Sequence, residues 1–67
     1  MPSTVIQWFR YDESTARLSV MFQSGRLYIY ENVPAALAAR MKQSFSKGQF
    51  FNEHIRDRFA FRRDESP

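Results

Sequence analysis

Two hydrophobic periods run along this chain, and they change over near Asn32. The run "VIQWFRY" is rich in strand-forming residues and closes on the turn formers Asp12, Glu13 and Ser14, while "RLSVMF" alternates strictly and sends Leu18, Val20 and Phe22 to one face. "QSG" then supplies a turn in which Gly25 is free to take a positive φ, and "RLYIYE" alternates again, which predicts a second hairpin. These signals give a three-stranded antiparallel meander. From "ENVPAALAARMKQS" onward the spacing becomes four. Pro34 suits a first helical position, the alanines favour the helix that follows, and Leu37, Met41 and Phe45 form its buried stripe. Ser46 with Gln49 makes the S-x-x-Q of a capping box, after which Phe51, Ile55 and Phe59 recur every fourth residue. Gly48 fits this second helix or, alternatively, the end of the first.

The expected fold is therefore α+β: a three-stranded antiparallel meander followed by two short helices packed on one face, β-β-β-α-α. A single domain is expected over residues 5–61. The closing "RRDESP" is polar and lacks periodicity, which predicts a frayed tail over residues 62–67.

Three stretches carry a family resemblance: "YD" at Tyr11 and Asp12, "LSVMFQSGRLYIYENVP" from Leu18 to Pro34, and "SKGQFFNEHIR" from Ser46 to Arg56. In that order they resemble the KTSC domain, a small module named for the C-terminus of certain lysyl-tRNA synthetases, over nearly the whole chain. The resemblance implies no catalytic activity and, through the company of a tRNA synthetase, points toward RNA. It also places an asparagine at Asn52, whose amide suits either backbone bonding near a tight turn or contact with a ligand. Two departures from the family pattern matter. Ser44 replaces a small alanine, and Leu27 and Ile29 occupy outward positions that are usually more polar, as an added interface would require.

Composition narrows the classes. A chain of 67 residues with 43% hydrophobic and 16% aromatic content is an ordered single domain with a small core, burying about 60% of its unfolded surface. With no cysteine and one histidine, no disulfide or structural zinc site is available, and no cofactor is implied. The sequence contains no apolar run long enough to span a bilayer and no signal-peptide pattern at "MPSTVIQWFRYDES", so a soluble, cytoplasmic protein without membrane contact is expected.

The formal net charge of +3 is unevenly placed. Arg10, Arg17 and Arg26 are balanced by Asp12, Glu13 and Glu31, so the surplus lies in the second half. There Lys47, Arg56, Arg58, Arg62 and Arg63 form the candidate nucleic-acid-binding set on the helical side, since unpaired burial of such groups costs too much and phosphates suit them well. The competing reading is a solvated face with local pairs such as Glu53 and Arg56. The outer sheet face is the second candidate. If Leu18, Val20, Phe22, Tyr28 and Tyr30 point inward, the pleat sends Met21, Leu27 and Ile29 outward beside Trp8, an interface set suited to a homodimer or another protein. Stacking of unpaired bases on Trp8 and Arg10 is the rival use of that face. Catalysis finds only His54 with Glu53 or Asp57 on an exposed helix, and no nucleophile constellation, so no enzymatic activity is expected.

Overall fold

The computed structural model describes residues 6–64. Its elements run β1 (Ile6–Asp12), β2 (Arg17–Phe22), β3 (Leu27–Tyr30), α1 (Ala35–Gln43), α2 (Lys47–His54) and β4 (Phe61–Asp64). The strands form one antiparallel sheet in the order β1-β2-β3-β4, so the fold is α+β with four strands rather than the three expected. The difference lies in the stretch expected to fray. Phe61–Asp64 pairs with β3 through Leu27↔Asp64, Tyr28↔Arg63, Ile29↔Arg62 and Tyr30↔Phe61. Glu31 N–H also donates to the Ala60 carbonyl at 2.9 Å. An open edge on β3 supplies donors and acceptors that a polar strand can satisfy without a hydrophobic pattern of its own. Val5 and the tail residues 65–67 lie outside the described residues.

Alternation in the strands sorts the core as the pattern predicts. Leu18, Val20 and Tyr30 are buried, together with Val33, Met41, Phe51 and Ile55 from the helical half. Phe9 and Tyr11 on β1 and Phe22 on β2 are partly buried against this cluster. The Tyr11 hydroxyl donates to the Val33 carbonyl at 2.6 Å, tying β1 to the segment that enters α1. Asp12 closes the first turn by accepting from the Ser14 amide at 3.0 Å and the Ser14 hydroxyl at 2.7 Å. The hydroxyl bond, foremost, holds its carboxyl below the ordinary range. In the second hairpin Gly25 takes φ +91, the left-handed region anticipated for it.

The helices begin and end by local bonding. Pro34 stands one place before α1, with extended ψ of 144, and its carbonyl accepts from Leu37 and Ala38. At the other end the Ser44 amide and hydroxyl both donate to the Met41 carbonyl, at 3.1 and 2.8 Å, and this stops the helix at Gln43. Phe45 consequently falls outside the helix and is fully exposed at 105%, so the expected stripe of Leu37, Met41 and Phe45 is corrected. Met41 and Ala38 are the buried positions of α1. Ser46 caps α2 by accepting from the Gln49 amide at 3.3 Å, and Gly48 lies in that helix's first turn. The Gln49 side chain donates instead to Glu53 at 3.3 Å, so the box is made on one side. Helix α2 ends at His54 because the Ile55 and Arg56 amides both bond to the Phe51 carbonyl, at 3.0 and 2.9 Å. Phe59 still packs against the core, from the turn beyond the helix.

Candidate binding cleft

On the β3–β4 side of the inner sheet face, strand residues meet Phe51 of α2. There the residues of β3 and β4 that point toward the helices build a layer of rings. Tyr28 and Tyr30 lie 6.4 Å apart with planes inclined by 21°. Phe61 joins both, at 5.4 Å and 39° from Tyr28 and at 5.2 Å and 31° from Tyr30. Beneath them Phe51 meets Tyr30 edge-on at 5.2 Å and 80°, and Phe22 meets Tyr28 edge-on at 5.4 Å and 84°. Edge-to-face contacts of this kind hold rings in place as well as burying them.

This layer lines an open cleft of about 570 Å³ whose rim includes Arg26 from the second hairpin and Arg56 and Asp57 from the turn after α2. Phe61 is 51% exposed there, whereas Tyr30 is buried. Burial, and then the neighbouring Tyr28, push the Tyr30 hydroxyl up to about 12, with Arg56 acting the other way. The cleft thus combines an uncharged aromatic lining with two permanently charged guanidinium groups and one carboxylate, that of Asp57. A second groove of about 400 Å³ lies between β1 and α1, where Phe9, Tyr11 and three alanines are flanked by Glu13 and Lys42.

The five cations singled out in the sequence are spread over several surfaces. Lys47 opens α2, and its ammonium donates to the Ser44 carbonyl at 2.9 Å. Arg56 lines the cleft and donates to Asn52 Oδ1 at 3.4 Å, while Arg58 Nε donates to the Glu53 carbonyl at 3.3 Å. Arg62 and Arg63 sit on β4: Arg62 shares an outer row with Ile29, and Arg63 shares an inner row with Tyr28, on the side of the sheet that faces the helices. The turn after α2 and the return of the chain into β4 separate them. Asn52 acts here as the acceptor for Arg56.

The interface set does gather on one face. Trp8, Met21, Leu27 and Ile29 occupy adjoining register positions on the outer side of β1, β2 and β3. Trp8 is 43% exposed, and the Arg10 guanidinium stands 6.0 Å from its ring. His54 lies beside the Phe50 ring at 4.5 Å and 3.9 Å from Glu53. Among the described residues no three His, Asp or Glu side chains converge as a metal site would require, and no helix is long and apolar enough to cross a membrane.

The family model of the KTSC domain matches residues 2–59. The chain belongs to the KTSC family. It is 38% identical over 58 residues to a lysine–tRNA ligase of Nostoc punctiforme and 34% identical over 56 residues to one of Trichormus variabilis, matches that cover 87% and 84% of this chain. In each case the KTSC region spans about a tenth of the ligase, 10% of its length. The crystal structure of the KTSC domain protein YPO2434 from Yersinia pestis has the same fold, with a TM-score of 0.85 and 29% identity over 96% of this chain and 90% of that one. Sequence reasoning missed the cleft as a unit, although its central tyrosines lie in the "YIY" of the family-like run.

Proposed function

We propose that this KTSC domain is a small, non-enzymatic binding module for single-stranded RNA and that the aromatic cleft receives an unpaired base. One observation carries the reading: the rings of Tyr28, Tyr30 and Phe61, inclined to one another by 21–39°, line one cleft together with Arg26, Arg56 and Asp57, and Phe61 is half exposed there. A base stacks on such a wall whatever its identity, and guanidinium groups take the adjoining phosphates through charge and paired hydrogen bonds. The kinship with the tRNA-ligase region supports RNA as the polymer. Of the five cations read from the sequence, Arg56 leads this reading and Arg26 joins it. Lys47, Arg58 and Arg63 contribute long-range attraction, and Arg62 serves the opposite face.

Titration of a fluorescent single-stranded RNA at several salt concentrations tests the proposal. Two phosphate contacts give a slope of log K against log salt of about −1.4. Phe61→Ala removes the most exposed ring and weakens binding by about 5- to 150-fold, the range of one stacked base, while the circular dichroism stays that of the parent. Arg56→Glu weakens binding and flattens the slope. Absence of binding at low salt, or full affinity in Phe61→Ala, overturns the reading.

A further inference from the structure

We infer that the outer face of the sheet is a self-complementary surface whose occupant is a second copy of this chain, packed face to face about a two-fold axis perpendicular to the strands. Two adjoining register rows carry the apolar residues of this face, beside a third that holds Asp12 and Arg17. One runs Trp8, Met21, Leu27, Asp64 and the next runs Arg10, Ser19, Ile29, Arg62, in the same strand order. An axis lying between the rows lays each row over the other. Leu27 then meets the partner's Ile29, Met21 meets the partner's Ser19, Trp8 meets the partner's Arg10, and Asp64 meets the partner's Arg62. Every charged member of the two rows thereby faces either the opposite charge or an aromatic ring. The symmetry repeats each contact, as a two-fold requires.

The other aligned face-to-face arrangement opposes like charges within these two rows. An axis along the strands sets Arg10 of one copy against the partner's Arg62, two like charges at the rim of an apolar patch. The choice of a copy over a different partner rests on this complementarity, which the face carries in itself. Sheets stack about 10 Å apart, a distance that aliphatic side chains fill from both sides and that Arg and Asp span together. Arg62 is held to Glu31 at 3.8 Å with its side chain 60% exposed, so guanidinium donors remain for the aspartate opposite. The arrangement is a four-layer particle with helices outside, and both aromatic clefts open away from the interface. The inference is independent of what those clefts bind.

Sedimentation of the intact chain gives the first reading, twice the 8.0 kDa of one chain. Ile29→Lys returns it to one chain with an unchanged circular dichroism spectrum. The discriminating experiment mixes two charge reversals. Arg62→Asp alone opposes aspartates across the interface, Asp64→Arg alone opposes arginines, and each weakens the dimer by about tenfold. Combined in equal amounts they pair with one another, and the mass returns to that of two chains. A parent that sediments as one chain, a dimer untouched by Ile29→Lys, or a mixture no more associated than its components would each overturn the inference.

Discussion

Strand β3 is four residues long and divides the molecule in two. Tyr28 and Tyr30 face the helices and meet rings from β2, α2 and β4, whereas Leu27 and Ile29 face a layer of side chains with no helix over it. On the first side, burial is completed within the chain: Leu18, Val20, Phe51 and Ile55 have lost essentially all contact with water. On the second side, Met21, Leu27 and Ile29 stay partly exposed. The contrast teaches where folding free energy and where recognition reside. Stability comes from the covered half of the inner face, whereas the proposed ligand contacts lie at the border where helix α2 ends and the proposed association uses the outer face.

Substitution inside the core breaks this comparison most forcefully. Phe51→Ala costs about 3 to 5 kcal/mol by emptying a filled site, a large fraction of what a domain this small possesses. Leu27→Ala, measured by urea denaturation at a concentration where the chain is monomeric, costs about 1 kcal/mol or less. Equal costs at the two positions would mean that the outer face is core.

Alkaline titration sharpens the same contrast. Tyr30 has its folded-state value raised from 10.0 to about 12, so its contribution to stability is complete below pH 10 and is lost as pH rises from 10 through 12. Phenolate absorbance and circular dichroism, followed together, report ionisation coupled to unfolding in that window, and Tyr30→Phe uncouples them.

A smaller effect belongs to the bond between Tyr11 and Val33. Tyr11→Phe keeps the ring and leaves a partly buried carbonyl without its partner, which costs about 1 to 2 kcal/mol and lowers the melting temperature accordingly. Smallest is Phe45→Ser. Its ring lies wholly in water, so stability changes by about 0.5 kcal/mol or less despite the loss of a phenylalanine.

Phe45 also shows how far the sequence could be read. Alternation in "RLSVMF" and "RLYIYE" fixes strands, faces and the inward set, because a period of two leaves no other register that buries Leu18, Val20 and Tyr30. The Ser46 cap was equally legible, since its bond is local. The spacing of four, however, carries no mark of where a helix stops. Bonds to the Met41 and Phe51 carbonyls end α1 and α2 earlier than the pattern suggests, exposing Phe45 and dispersing the basic set. Strand β4 was invisible because "FRRD" owes its conformation to the edge of β3, not to its own residues. The cleft draws on the second hairpin, β3, α2, the following turn and β4, segments whose convergence no local signal encodes.

Phe61 reaches the ring layer from a strand bound along one edge only, at the end of the sheet. Detaching that strand strips the site of its outermost ring and leaves the Leu18, Met41 and Phe51 cluster standing. On the proposed reading, occupancy and strand order are thermodynamically linked: a base stacked on Phe61 slows hydrogen exchange at the β4 amides bonded to β3. Loss of the strand, in turn, would release the proposed base.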